Sequence, residues 1–189
     1  MKESEIIKSA KKGDSEAFGR LYDQYVSQIY RFIYFRVSSK TDAEDLTHQV
    51  FLKAWKSLKR YKEKGHPFSS WLYRIAQNTV VDFYRTSRSH RDIETLPEHV
   101  LSENPNLEDR VDQSIEVERI HIVIRKLDES SQSVLLMKFV DHLSNKEIAA
   151  TLEKSEGAIR VIQHRALKQV RDLLEDHGEE ENHTTTREA

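Results

Sequence analysis

Apolar residues recur every three or four positions through most of the chain, which is the spacing that places side chains on one face of an α-helix. After a short first helix, Gly13-Asp14 interrupts the chain and the first long stretch of this pattern begins. The stretch lasts for about five helical turns, so it predicts a long amphipathic helix. Its predicted inward-facing residues are Phe18, Leu21, Tyr22, Tyr25, Val26, Ile29, Ile33 and Val37.

Two further amphipathic helices follow in the first half of the chain. Thr41 with Glu44 three residues later has the pattern of a capping box, which predicts a helix start. Ser69 restarts the helical pattern after a break at residues 65–67. The predicted inward-facing residues of these two helices are Leu46, Val50, Ala54 and Leu58, followed by Leu72, Ile75, Ala76, Thr79 and Phe83.

The helical pattern fails between residues 87 and 108, where Ser, Asn, acidic residues and two prolines are mixed with scattered aliphatic residues. Such a mixture is typical of a linker. We therefore predict an all-α fold with two small helical domains joined by a flexible linker. The predicted segments are an N-terminal domain at 1–90, an acidic linker at 91–110, a C-terminal domain at 111–175 and a disordered acidic tail at 176–189.

The C-terminal domain carries the pattern of a helix-turn-helix. Ser144 and Glu147 can form a capping box for a helix of about eight residues, and Ser155 can cap a second helix after a tight break. One face of this second helix is apolar and the opposite face is cationic. The pattern predicts that the second helix can enter the major groove of DNA.

The first residues of a recognition helix reach base edges, while later Lys and Arg residues hold phosphates. The candidate base-reading residues are therefore Arg160, Gln163 and His164, and the candidate phosphate contacts are Arg165, Lys168 and Arg171. Two alternatives share this pattern. A solvated helix also alternates a charged and an apolar face, and a helix-turn-helix can bind protein.

Acidic residues mark the start of the second amphipathic helix. Asp42, Glu44 and Asp45 lie in its first turn, where the helix dipole favours carboxylates, and this stabilisation alone would explain them. Gln49 lies four residues beyond Asp45 and can share its exposed face. The segment is therefore also a candidate docking surface.

Aromatic and basic residues are interleaved between residues 60 and 88. Unpaired bases stack on aromatic rings for about 1–3 kcal/mol each and cations follow the backbone, so the mixture suits single-stranded DNA. Aromatic residues at helical spacing also form cores, and this alternative holds for Trp71 and Phe83. The candidate DNA-binding residues are Tyr61, Phe68, Trp71, Arg74 and Arg85, with Asn78 as a donor and acceptor for a base edge.

The formal net charge of −2 conceals a segregation of charge along the chain. Residues 1–91 carry +8, residues 92–120 carry −7, residues 121–174 carry +2 and residues 175–189 carry −5. Basic domains thus alternate with acidic segments, which leaves binding to a polyanion open.

Several classes of protein are disfavoured. The chain contains no cysteine, no signal-peptide pattern and no apolar run long enough to span a bilayer, so we expect a cytoplasmic protein without membrane insertion. It also lacks an HExxH motif, a glycine-rich phosphate loop and a cluster at metal-ligand spacing, so we expect no catalysis, no metal and no cofactor.

Three segments, taken in order, resemble the sigma factors of bacterial transcription initiation, most closely their extracytoplasmic-function (ECF) group. DAEDLTHQVFLKAW is similar to the polymerase-docking helix of that family. PFSSWLYRIAQNTVVDFYR is similar to its minus-ten element, and LSNKEIAATLEKSEGAIRVIQHRAL to its minus-thirty-five element. The resemblance implies a protein that binds core RNA polymerase and directs promoter recognition and DNA opening.

The resemblance also implies partners and residue roles. The β′ clamp helices and the β subunit of polymerase would bind the chain, and an anti-sigma factor would hold the free protein inactive. Promoter DNA would bind both as duplex and as melted non-template strand, from which residues 61–70 would capture a flipped base. The residues implied to contact the clamp helices are Asp42, Glu44, Asp45, Leu46 and Gln49.

The main alternative is a conventional dimeric helix-turn-helix regulator. Such a protein would use its C-terminal domain to bind a palindromic duplex unaided, and its N-terminal domain would sense a signal or dimerise. A sigma factor would instead bind promoter DNA tightly only as part of the polymerase holoenzyme.

Overall fold

The computed structural model describes residues 2–37, 39–62, 67–91 and 119–185, and all regular secondary structure in these ranges is helical. The N-terminal domain begins with a helical hairpin, and its long helices then pack in sequence against one another. Its elements are α1 (Glu3–Lys11), α2 (Ser15–Tyr34), α3 (Lys40–Ser57), a 3-10 helix (Leu58–Arg60) and α4 (Phe68–Arg91).

Over residues 119–185, the C-terminal domain contains four α-helices and one π-helical turn. Its elements are α5 (119–126), α6 (Glu129–Leu135), the π-helix (Leu136–Val140), α7 (Asn145–Leu152) and α8 (Glu156–Thr185). The prediction of an all-α protein whose C-terminal part is a helix-turn-helix is confirmed. Apart from Arg91, the predicted linker lies outside the described residues.

Two predicted helix ends need correction. Helix α3 is capped by Ser39, whose hydroxyl accepts a hydrogen bond from the Asp42 N–H at 3.2 Å, so the capping box predicted at Thr41 is wrong. Ser and Thr are both good N-caps, and the sequence pattern alone does not choose between them. Helix α8 continues to Thr185, although a disordered tail was predicted from residue 176. No proline interrupts this segment, and its many Glu residues are good helix formers.

The predicted apolar faces are the faces that the structure buries. Leu21, Ile29 and Ile33 of α2 are fully buried, as are Ile148 of α7 and Ile159 of α8. Each such aliphatic side chain contributes about 1.5–3 kcal/mol through removal from water. The helical period therefore predicts the orientation of these elements correctly.

The two domains share a single contiguous core. Helix α4 packs against α7, and α2 packs against the π-helix. At one edge of this contact, a ring nitrogen of His121 from α5 lies 3.1 Å from the Val37 carbonyl oxygen, and the imidazole stacks on Tyr34. The sequence did not predict this association of the domains.

Candidate nucleic-acid and protein-binding surfaces

The helix-turn-helix is formed by α7, a three-residue turn and α8. Ser144 and Glu147 cap α7 reciprocally, and the Ser155 hydroxyl accepts a hydrogen bond from the Ala158 N–H at 3.1 Å at the start of α8. Glu153 turns the chain with left-handed backbone angles (φ 54°, ψ 40°), and the next N–H returns to the Ala149 carbonyl. Both predicted caps of this motif are confirmed.

Helix α8 presents a cationic face to solvent. Arg160 is 68% exposed, and its guanidinium lies 3.7 Å from Glu156 on the same helix. Such an exposed pair contributes little stability, so Arg160 can exchange it for a nucleic-acid contact at small cost. Val161 and Leu167 interrupt the charge with exposed apolar surface. Of the other predicted DNA-binding residues here, His164, Arg165, Lys168 and Arg171 are exposed and Gln163 is half-buried.

The exposed face of α3 carries four of the residues predicted to dock polymerase, Asp42, Glu44, Asp45 and Gln49, and we call this set the docking surface. Asp42 is half-buried and the other three are exposed. Leu46 does not belong to this surface, because it is only 3% exposed and lies in the core. It follows Asp45 by one position, about 100° around the helix, which turns its side chain toward the buried stripe.

An apolar groove that was not predicted from the sequence adjoins the docking surface. The groove measures about 470 Å³ and is lined by Phe18, Phe51, Leu52 and Trp55, together with His48. Leu52 is 53% exposed and lines the groove together with the rings of Phe51 and Trp55. Its signal in the sequence was present, since Leu52 falls outside the buried α3 stripe.

The aromatic residues proposed to bind single-stranded DNA divide into buried and half-buried groups. Tyr61 and Phe68 are buried, with Phe68 packed against Tyr25 of α2 at a ring separation of 5.6 Å. They therefore support the core and do not offer stacking surfaces, which corrects both assignments. Trp71 is half-buried, and it covers Tyr61 and Phe68 at ring separations of 5.0 and 5.3 Å.

The polar members of the same set lie on the exposed side of α4. Asn78 is exposed, and Arg85 is exposed beside Asp82 at 3.0 Å. Arg74 is engaged by the C-terminal domain, because its guanidinium donates a hydrogen bond to the Glu153 carboxylate in the turn of the helix-turn-helix. Residues 63–66 of the implied base-capturing loop lie outside the described residues.

Polar contacts hold the two domains together beside the shared core. The Ser133 hydroxyl donates to the Gln77 amide oxygen at 2.8 Å, and the buried Arg36 guanidinium donates to the same oxygen at 2.6 Å. Burial lowers the pKa of Arg36 to about 10, and the nearby Glu129 carboxylate opposes this shift. Farther along, the Thr151 hydroxyl lies 3.4 Å from the Ser70 carbonyl oxygen.

Two classes of site are absent from the described part of the chain. No group of three or more His, Asp or Glu side chains is arranged to hold a metal ion among residues 2–37, 39–62, 67–91 and 119–185. Within the same ranges, no helix has the length and apolar character needed to cross a bilayer.

Comparison with known proteins identifies both domains. Residues 21–90 match the family model for Sigma-70 region 2, and residues 123–172 match that for Sigma-70 region 4. The ECF RNA polymerase sigma factor BldN of Streptomyces coelicolor is 37% identical, over 91% of this chain and 66% of that protein. The ECF RNA polymerase sigma factor SigW of Bacillus subtilis is 31% identical, over 90% of this chain and 95% of that protein.

A solved structure has the same architecture. CnrH, in complex with the cytosolic domain of CnrY, superposes with a TM-score of 0.70 at 25% identity, covering 90% of this chain and 96% of that chain. The chain belongs to the sigma-70 family and, within it, to the extracytoplasmic-function group. Sigma factors bind core RNA polymerase and direct it to promoters, so the alternative of an independent dimeric regulator is not favoured.

Proposed function

We propose that the three surfaces described above divide the work of a sigma factor within this chain. The docking surface binds core polymerase, the exposed side of α4 binds the melted minus-ten element, and the cationic face of α8 binds the minus-thirty-five element. The observation that supports this division most strongly is the pairing, in one chain, of an acidic docking face with an exposed cationic recognition helix.

Polymerase binding is assigned to the docking surface and the apolar groove together. Asp45 and Gln49 supply charge and hydrogen bonds for the β′ clamp helices, and Leu52 supplies the adjoining apolar contact. Interfaces of this kind combine an apolar centre with a polar rim. The β subunit is a further expected partner.

Recognition of the minus-ten element is assigned to Trp71, Arg74, Asn78 and Arg85. The Asn78 amide can donate to and accept from a base edge, and the two arginines can follow the strand backbone. Trp71 can stack on a base with its exposed part. Tyr61 and Phe68 act indirectly by supporting Trp71.

Recognition of the minus-thirty-five element is assigned to α8. Arg160, Gln163 and His164 lie in its first turns and read bases, as the geometry of a recognition helix requires. Farther along the helix, Arg165, Lys168 and Arg171 hold phosphates.

Regulation, location and chemistry follow from the same proposal. An anti-sigma factor is the expected inhibitor, because the structurally similar CnrH was solved in complex with the cytosolic domain of CnrY, an anti-sigma factor. We place the protein in the cytoplasm, where polymerase and promoters are found. It acts as a non-catalytic specificity subunit without a cofactor.

Reconstitution with core polymerase tests the proposed function directly. The full chain should co-purify with core enzyme and support runoff transcription from a promoter-containing template, and it should bind promoter DNA poorly alone. Tight binding of the free protein to a palindromic duplex, without entry into polymerase, would instead support the dimeric regulator.

Asp45→Ala should weaken holoenzyme formation by roughly threefold to tenfold, equivalent to about 1 kcal/mol, because a rim carboxylate of the docking surface is removed. Titration of labelled sigma factor with core polymerase measures this change. Asp23→Ala is the matched control, since Asp23 is an exposed acid on α2 outside the docking surface. Equal affinities for Asp45→Ala and wild type would remove Asp45 from the interface.

Arg160→Ala should cost roughly 1–3 kcal/mol of holoenzyme binding to a promoter that depends on its minus-thirty-five element. The loss should shrink when that element is randomised, because a base contact is worth little on the wrong sequence. Competition binding with both templates measures the difference. A loss of equal size on the two templates would make Arg160 a phosphate contact.

A further inference from the structure

A buried carboxyl group lies where the two domains meet. Asp141 follows the last residue of the π-helix, and its side chain is completely shielded from solvent. Helix α2 of the other domain packs against this element and brings the Arg31 guanidinium to 3.8 Å from an Asp141 oxygen. The domain contact therefore encloses an acid that solvent would reach if the domains separated.

The Asp141 carboxyl group has few hydrogen-bond and charge partners in its buried site. The distance to Arg31 is too long for a hydrogen bond, and within the described ranges neither carboxyl oxygen has a hydrogen-bond partner of ordinary geometry. The Tyr73 hydroxyl of α4 lies in the same buried site and interacts with the Asp141 carboxyl group, although not with ordinary hydrogen-bond geometry. Burying a carboxylate with one distant cation and one poorly placed hydroxyl is unfavourable, whereas a neutral acid tolerates the same site better.

The other charged and titratable groups on the helices around Asp141 either have partners of their own or are exposed to solvent. Tyr25 of α2 lies close enough to Tyr73 to influence it and bonds Glu3. The acid on α6, Glu129, binds Gln77, and that on α7, Glu147, completes its capping box with Ser144. The remaining cations, Lys138 of the π-helix and Lys146 of α7, are at least partly exposed, and the adjacent His142 is exposed. Arg31 and Tyr73 are thus the groups that bear on Asp141 directly.

We propose that the Asp141 carboxyl group is a proton-dependent latch between the two domains, in which the neutral acid holds the domains together and the carboxylate favours their separation. Burial raises the pKa of Asp141 to about 6, against opposing effects of Tyr73 and Arg31. Separation restores the ordinary value of 3.8 in water. The associated form therefore binds more protons than the separated form, so acidification favours association and a rise of pH through 6 favours separation.

Separation of the domains is required at a promoter, a step that rests on the proposed function. The names of the minus-ten and minus-thirty-five elements place them about 25 base pairs apart, or roughly 85 Å of duplex. In the structure, α4 and α7 touch through Ser70 and Thr151. The associated form cannot occupy both promoter elements. The latch would therefore set how readily the free protein adopts a form that can bind both elements.

The absence of cysteine from the chain gives a direct measurement of separation. Ser70→Cys places one thiol at a position that is 3% exposed beneath α7, and dithiodipyridine labels it when the domains part. Its labelling rate, divided by that of an exposed Gln169→Cys thiol at the same pH, gives the opening equilibrium. This ratio is measured without polymerase or DNA. A negative result for the latch can therefore be distinguished from a failure of the proposed function.

The opening equilibrium should fall about tenfold between pH 7.5 and pH 5.0 in the Ser70→Cys protein. Adding Asp141→Asn, which mimics the neutral acid, should lower the opening at pH 7.5 and remove most of the pH dependence. Asp172→Asn, an exposed acid on α8, is the matched control and should leave the tenfold change intact. Val50→Cys, buried in the N-terminal domain, reports global unfolding and should react more slowly than Ser70→Cys.

Two results would overturn the latch. One is a pH dependence that Asp141→Asn leaves unchanged. The other is a Ser70→Cys thiol that reacts as fast as the exposed thiol at both pH values, since the domains would then be apart regardless of Asp141. Circular dichroism of the Asp141→Asn protein checks that its helices remain folded.

Discussion

Cysteines introduced together at Ser70 and Thr151 should lock the domains in contact, and the oxidised protein should lose nearly all promoter-directed transcription. The Thr151 hydroxyl lies 3.4 Å from the Ser70 carbonyl oxygen, and both residues are 3% exposed, so the two positions are in direct contact across the domain interface. A bridge would prevent the separation that binding at two distant promoter elements requires. Runoff transcription before and after reduction measures the effect.

The native chain has no cysteine, which makes the controls for this bridge simple. Each single variant, treated with the same oxidant, should transcribe like wild type, and reductant should restore the double variant. Full activity of a double variant whose disulfide is verified by mass spectrometry would show that the associated form is itself competent.

Phe32→Ala should destabilise the protein by about 3–5 kcal/mol, the range for truncation of a large aromatic residue in a core. Phe32 is fully buried, meets Tyr73 edge to face at 5.3 Å, and has the Arg36 guanidinium 5.1 Å above its ring. Its removal leaves a cavity and takes a cation–π contact from a buried arginine. Urea denaturation followed by circular dichroism measures the free energy of unfolding.

Phe139→Ala is the matched control for this truncation. Phe139 belongs to the π-helix but is 50% exposed, so the same chemical change should cost less than about 1 kcal/mol. Similar losses for the two variants would show that Phe139 is buried in solution, contrary to its exposure in the structure.

Most helix orientations could be predicted because a single physical rule governs them. Leu21, Val50 and Ile159 are buried because the 3.6-residue period forces apolar positions onto one face, and that period is visible in sequence. The caps of the helix-turn-helix were predictable for a similar reason. Ser144 and Glu147 act within one turn, so their contact is local.

The remaining features depend on neighbours that are distant in sequence. Tyr61 and Phe68 carry the composition of a stacking surface, yet Tyr25 and Trp71 enclose them. Leu46 sits among exposed acids but turns into the core. Periodicity shows that a face is covered and does not show what covers it, which is why partners across the domain contact were missed.

The polar side of that contact was hidden for a different reason. Arg74, Gln77 and Glu153 are residue types that usually face water, so a sequence gives no sign that Arg74 pairs with Glu153 or that Gln77 bonds Ser133. Asp141 likewise resembles an ordinary loop acid. Only the packing of the π-helix against α2 shows that it is enclosed.

The left-handed backbone of Glu153 has a consequence for how this protein can change by mutation. Glycine adopts such angles without steric penalty, so it would suit the turn better than glutamate does. Glycine would also delete the carboxylate that Arg74 binds. A substitution at position 153 can therefore relieve the backbone strain of the turn only by removing a contact between the two domains. No single residue at this position favours both.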